Sequence, residues 1–550
     1  MLRSALPCLA SVLAAAPLHA VQQPDSFHLG TAAASIEHHV REANRPGHTG
    51  VRWSPYAAAG EVTPLFESDS IGRGLPQVSA PFTFGQPTAA RRTLAEVGNA
   101  HGGRRRIEAV RTLLLRGSGI AYWLGQNPTP DAALPAAPIQ EYRRAIDFAN
   151  RRWRQEQVVV LDSVVRGFGT QRQVSAWDDG IAFDLFPNGH AVRAPADAAI
   201  GRALELVHHP IGALQAAWAP GADLALEPGR PNRIRVTRDG RTLTLEFDPA
   251  THLISAIETP AYHALLGDVA LETVFDEYRD VQGLWLPSRI VTRLDGLTIT
   301  EIRLDSITVD AVVGDLAAPA TVRDAAPPES DITVAAEELA AGVWHLTGGS
   351  HHSVLIEFAD HLMLIEAPLD DARTLAVIAK ARALRPGKPL RYVVNTHHHF
   401  DHAGGIRAAV AEGLTVITHE GNRAFLEDIV RRPHTLVRDA LARNPRPLAV
   451  ETVTDQRTFG DAIRAVELHA VRGSRHSGTM LVAYLPRERL LIQADLFSPP
   501  PPGAPPWPAP FADDLLALIR SRGLRVERIV PIHGHVAPLA DLVAAAGRAS

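Results

Sequence analysis

Between residues 230 and 310 apolar and polar positions alternate with the period of two that turns one face of a strand inward. Residues 232–236 and 242–247 do so on either side of Asp239-Gly240, a dipeptide suited to a two-residue turn, and therefore predict a hairpin. Asp248-Pro249-Ala250-Thr251 turns the chain into 253–257, and further strands are expected at 269–275, 284–294 and 297–307. Consecutive strands with few helices predict a curved antiparallel sheet, half-barrel or meander. Upstream, 93–115 reads as helical in part, and 21–85 has no regular period. At 312–331 the texture changes to Ala317-Ala318-Pro319-Ala320 and Ala325-Ala326-Pro327-Pro328, a linker composition. Beyond it, 342–346 and 353–358 read as strands, and Asp360-His361 turns the chain into 362–365. Residues 371–384 read as an amphipathic helix, and 390–396 as a β-branched and aromatic strand.

A chain of 550 residues is too long for a single core. The expected division is a signal peptide at 1–20, a mainly β domain with some helix at 21–315, a linker at 316–331 and a second domain at 332–550. Apolar content of 46% and charged content of 21% belong to a globular protein. A net charge of −5 argues against a nucleic-acid partner held by bulk electrostatics. Arg3 and the Ala-rich apolar stretch 5–18, ending near His19-Ala20 with Ala16 as an alternative cleavage point, are similar to a secretory leader, so a periplasmic or secreted location is expected. No other segment approaches the run of about 20 apolar residues that a membrane span needs. The only cysteine, Cys8, lies inside the leader. A mature chain without it has neither a disulfide nor a cysteine nucleophile.

The densest chemistry is His397-His398-His399-Phe400-Asp401-His402, placed where the strand at 390–396 ends and followed by Gly404-Gly405, a pair that permits a tight turn. In extended backbone His397 and His399 point the same way and can grip one ion, while His398 points away. Asp401 and His402 fall where the chain turns and can reach a second position. Imidazole and carboxylate together suit zinc.

This His-x-His-x-Asp-His run resembles the signature of the metallo-beta-lactamase superfamily. The resemblance implies an α+β protein whose C-terminal part is an αββα sandwich, with metals held at one edge by loops from both sheets. It also implies further ligands downstream: a His after a strand, met by His476, although Arg475 stands where a Gly is usual; an Asp closing a strand, met by Asp495; and a His followed by Gly, met by His533, with His535 as a near competitor. In that scheme His397, His399 and His476 hold one zinc, Asp401, His402 and His533 hold a second, and Asp495 bridges them. The implied chemistry is hydrolysis of an ester, thioester, lactone or amide in a small-molecule substrate by metal-bound hydroxide, with Asp401 as the catalytic carboxylate; phosphoester cleavage stays open. The best-known zinc beta-lactamases of the superfamily place Cys where this chain has Asp495, which weighs against antibiotic hydrolysis. Two other readings remain: an iron-dependent oxidoreductase on the same scaffold, and a ligand-binding protein with a structural metal site. The N-terminal half loosely resembles the lipoprotein-carrier type of β-domain, which wraps a helix and an apolar cavity. The oligomeric state is not read from the sequence.

Other histidines carry less. His38-His39 and His208-His209 lack partners at ligand spacing and read as polar loop or strand-end residues. His351 and His352, just before a strand, read as polar loop residues beside the cleft. The proline-rich stretch 498–510 follows Asp495 and favours stiff polyproline geometry, so it is expected at the rim of the site. There Trp507 and Phe511 form either an apolar substrate wall or part of a rigid connector.

Overall fold

A computed structural model of the protein describes residues 88–161, 169–328, 332–501 and 509–546. The expected leader with Cys8, the His38-His39 pair and Trp507 lie outside them. Among the described residues, thirteen strands form one antiparallel sheet made of two meanders. They meet where Thr112–Tyr122 pairs with Leu297–Val309. One meander runs outward to Ala191–Arg193, the other to Asp223–Glu227. The helices Ala196–Leu204 and Pro210–Trp218 carry the chain from one outer edge to the other.

Local chemistry accounts for the elements. The expected hairpin forms between Arg230–Arg238 and Arg241–Phe247, with Arg238 paired to Arg241 and both Asp239 and Gly240 at positive φ. That is the mirror-image turn matching strand twist, and Asp-Gly adopts it at little steric cost. The strand expected at 284–294 is observed as Leu284–Leu294. The segment 93–115 divides into the helices Ala89–Ala100 and Arg104–Ala109 and the start of the first strand.

The space inside the sheet is filled by the protein itself. Ile211, Leu214 and Ala217 of the connecting helix share one buried core with Leu113, Ile139 and Trp153 of one meander and Ile234, Leu245 and Ile257 of the other. His208 and His209 lie in the loop between the helices Ala196–Leu204 and Pro210–Trp218, as expected, but they are buried and not solvated. His208 bonds the hydroxyls of Thr259 and Thr273, and His209 accepts the backbone N–H of Ile211 at the start of its helix. The stretch expected to be a linker is partly packed as well, since Ala318 and Val322 are buried with Ala176 and Phe183.

The C-terminal region holds a seven-stranded and a six-stranded sheet. Strand by strand the buried side chains alternate in destination. Val354, Ile356, Met363 and Ile365 of the first sheet meet Leu468, Leu481, Ala483 and Ile492 of the second in a shared core. Their neighbours Leu355 and Leu364 point the other way, onto Val377 and Ile378 of the helix Asp371–Leu384. On the far side, Val482, Tyr484 and Leu491 pack against Leu515 and Ile519 of Ala512–Arg522 and Leu542 of Leu539–Ala546. Strands buried on both faces read as continuous apolar runs, which is why 362–365 is Leu-Met-Leu-Ile. Among the described residues, no helix is long and apolar enough to cross a membrane.

Candidate metal centre

The His-rich run leaves the C-terminal end of Leu390–Val394, an interior strand of the first sheet paired with Leu362–Ile365 on one side and Thr415–His419 on the other. Asn395 braces it: the side-chain amide donates to the carbonyls of His397, at 2.7 Å, and His402, at 3.3 Å. Phe400–Ala403 forms one helical turn. Gly404 and Gly405, neither with a left-handed φ, then allow close approach: a Cβ on Gly405 would stand 1.8 Å from the Thr374 hydroxyl. Asp495 follows the strand Leu490–Gln493, with its backbone at φ 62°. The Gln493 side chain ties this turn by accepting the N–H groups of Leu496 and Phe497.

These segments converge in two clusters. His397, His399, His476 and Asp495 bring one ligand atom each within 4.8 Å of one another, and so do His351, Asp401, His402 and His533. Asp495 lies between them. Its Oδ2 is 2.9 Å from His476 Nε2, 3.0 Å from His402 Nε2 and 3.3 Å from His397 Nε2, while Oδ1 is 2.8 Å from His533 Nε2. His398 belongs to neither cluster; its Nδ1 faces the Thr479 hydroxyl at 3.2 Å.

The donor set fits cations. His397 Nε2 and His476 Nε2 are 3.3 Å apart, and His402 Nε2 and His533 Nε2 are 3.2 Å apart. Two nitrogens bound to one tetrahedral zinc at about 2.05 Å would be separated by ~3.3 Å. Among the described residues His399 Nδ1 is a buried atom with no hydrogen-bond partner, the state expected of a lone pair aimed at an ion.

The far side of each imidazole fixes which nitrogen is available. Thr396 donates its hydroxyl to Glu366 Oε2 at 2.6 Å and faces His397 Nδ1 at 3.0 Å, so His397 presents Nε2. Glu366 Oε2 also accepts from His402 Nδ1 at 3.1 Å, and the Ser350 carbonyl accepts from His533 Nδ1 at 3.0 Å. Burial, reinforced by neighbouring imidazoles, holds His397 and His399 well below the usual histidine range, so both are neutral and able to ligate. Burial alone would lower His402, yet Asp495 and Asp401 beside it carry it well above that range. Asp495, which burial would raise, is held far down by His402, His533 and His476.

The model of the metallo-beta-lactamase superfamily matches residues 346–535. These residues are a metallo-beta-lactamase superfamily domain. Solved structures similar to the chain include a metallo-beta-lactamase from Pontibacter korlensis (19% identity over 39% of this chain and 98% of that one, TM-score 0.31) and one from Pseudomonas aeruginosa in a mono-zinc form (21%, 40% and 96%, TM-score 0.31). Another is a metallo-beta-lactamase from Hirschia baltica (20%, 39% and 96%, TM-score 0.30). No curated protein matches the chain. Membership of the metallo-beta-lactamase superfamily supports a metal-dependent hydrolase.

Within the metallo-beta-lactamase domain, all seven residues singled out in the sequence lie in the two clusters, and His533, not His535, is the one that reaches them. His351 is the correction: it lies in the loop before the strand Ser353–Glu357, as expected, but it is 2% exposed and its Nε2 lies 3.1 Å from Asp401 Oδ2, which makes it a member of the second cluster. Burial, with His533 and His402 nearby, takes its pKa down to about 3 despite the opposing pull of Asp401. Glu366 was not flagged by the sequence reading. Its one signal is a carboxylate directly after the all-apolar strand Leu362–Ile365, where φ is +77°. Phe511 places its ring 5.1 Å from that of His476.

Proposed function

We propose that the protein is an exported hydrolase that holds two zinc ions and cleaves an ester, thioester, lactone or related bond in a small-molecule substrate. The observation that carries this reading is the meeting of the two ligand clusters at one buried carboxylate, Asp495. In this reading His397, His399 and His476 hold the first ion, and Asp401, His402 and His533 the second, joined by His351. The two sheets and their outer helices are then the layers of an αββα sandwich, and the apolar stretch 5–18 directs export. Zinc bound there would lower the pKa of a water from about 15.7 to about 7 and polarise the scissile carbonyl. The chain's own contribution is alignment. Asp401 Oδ2 stands beside His351 and His402 and can take up and return the proton of the attacking water, and Phe511 beside His476 gives the substrate an apolar wall.

Metal quantification on the purified chain, combined with a panel of ester, thioester, lactone, beta-lactam and phosphodiester substrates, tests the proposal. The expected result is two zinc ions per chain and turnover of an acyl substrate that chelation abolishes and zinc restores. Stoichiometric iron with oxygen consumption, or generic ester turnover unchanged in both His399→Ala and Asp401→Ala, would contradict it.

A further inference from the structure

The loop joining the strands Thr112–Tyr122 and Ala136–Asp147 belongs to the large N-terminal sheet, yet four consecutive residues of it contact the metal domain at the cluster. The Gly125 carbonyl accepts the Phe400 N–H at 3.2 Å, and the Pro128 carbonyl accepts the Gly478 N–H at 2.7 Å. Between them, Gln126 Nε2 donates to Asp401 Oδ1 at 2.9 Å, and the Asn127 carbonyl lies 2.9 Å from His399 Nε2. A carbonyl can only accept, so His399 must carry its proton on Nε2, leaving a lone pair on Nδ1. Nδ1 is the buried atom of that ring with no hydrogen-bond partner among the described residues. The bond from Gln126 to Oδ1 likewise fixes the rotation of the Asp401 carboxylate and turns Oδ2 to His351.

The loop is shaped for this contact. Gly125 has φ 72°, and a Cβ there would come within 2.2 Å of the Phe400 ring, one residue from both His399 and Asp401. Asn127 donates its side-chain amide to the Ala132 carbonyl at 2.8 Å, holding the loop in its own conformation. Leu124 packs in the cluster that contains Phe400. A loop that merely covered the domain would need the apolar contact alone. Two polar contacts, each to a different ligand residue, do more: partners behind the ligands set ligand orientation and typically change metal affinity 10–100-fold when removed.

We propose that this loop is a built part of the metal centre: Gln126 positions Asp401 and the Asn127 carbonyl positions His399, so the N-terminal sheet sets metal affinity across the boundary between the two regions. The proposal rests on the two-zinc reading above. It is tested with the full chain carrying Gln126→Met, which keeps the length of the side chain and removes the amide donor, and with Gly125→Ala, which pushes the loop off Phe400. Zinc is titrated against a chromophoric chelator, and thermal unfolding is followed with and without zinc. The expected result is two equivalents in the wild type, one of them weakened about 10–100-fold in each variant. Gln126→Met should show a smaller zinc-induced rise in Tm with an unchanged metal-free Tm. Wild-type affinity for both equivalents in Gln126→Met would overturn the proposal, and so would equal losses of Tm in its metal-free and zinc-loaded forms, which would make the loop a strut. Absence of zinc binding by the wild type would overturn this proposal together with the function reading; the other failures leave that reading standing.

Discussion

Single residues in this chain are held in one protonation state by partners on both sides. His101, fully buried, accepts the Ile254 N–H on Nε2 at 3.0 Å and faces the Trp285 carbonyl with Nδ1 at 2.9 Å. Only the neutral ring can make both bonds, and burial, against the opposing pull of the Trp285 carbonyl, takes its pKa to about 4. An unfolded histidine titrates near 6.5, so below that pH the unfolded chain binds the extra proton and stability is lost; the loss stops growing below about pH 4. The metal-free protein is therefore expected to lose Tm as pH falls from 7 to 5. His101→Gln keeps a donor and an acceptor without titrating, and should flatten that slope by up to one proton, about 1.4 kcal/mol per pH unit. An identical slope in the variant would contradict the assignment. Glu366 makes the matching case at the metal centre. Glu366→Gln weakens the acceptor behind His402, and zinc affinity measured by chelator competition should fall about 10–100-fold. The seven ligand-type residues were legible because their spacing follows strand geometry and the order of a known motif. His351 and Glu366 were not, since each acts through a contact across a sheet that no local pattern encodes.

At the scale of elements, legibility followed the contrast between faces. The strands at 242–247 and 284–294 have one apolar face and a clear turn between neighbours, and they stand where the alternation put them. Arg152–Leu161 and Gly169–Asp178 were missed because their outward rows are built from Arg, Gln and Glu that pair across the sheet, as Glu156 does with Arg143 and Arg172, so the inward alternation is diluted. Such pairs are exposed or half-exposed and contribute register more than stability. A buried pair behaves differently. Arg407 pairs with Asp439, both nearly inaccessible, and donates to the carbonyls of Ile429 and Val430, satisfying the end of the helix Arg423–Arg431. Asp439→Ala leaves that guanidinium buried and without its counter-charge, and should cost about 3–5 kcal/mol of unfolding free energy, readable by urea denaturation. A loss below about 1 kcal/mol, typical of an exposed pair, would show that the pair is not as dry as the packing implies.

At the scale of the whole molecule, the residues from Ala89 onward group as one compact unit by their contacts. Sequence texture separated the halves because their strand patterns differ, and it had no means of registering the contacts between them. The hairpin end at Asp268 is one such contact: its carboxylate accepts the backbone N–H groups of Thr435 and Leu436, and its own N–H donates to the Pro433 carbonyl. Arg432 reaches back to Asp295 at 2.6 Å. Calorimetry of the wild type should give one cooperative transition, and Asp268→Ala combined with Arg432→Ala should separate it into two; two transitions already present in the wild type would contradict this coupling. The central claim is that distant histidines and aspartates converge on a pair of cations around Asp495. Anomalous difference maps from a zinc-grown crystal, collected above and below the zinc edge, test it most directly. The account predicts two peaks about 3.5–4 Å apart, one beside His397, His399 and His476 and the other beside His351, Asp401, His402 and His533, with Asp495 between them. Peaks elsewhere on the molecule, or none at these histidines, would contradict it.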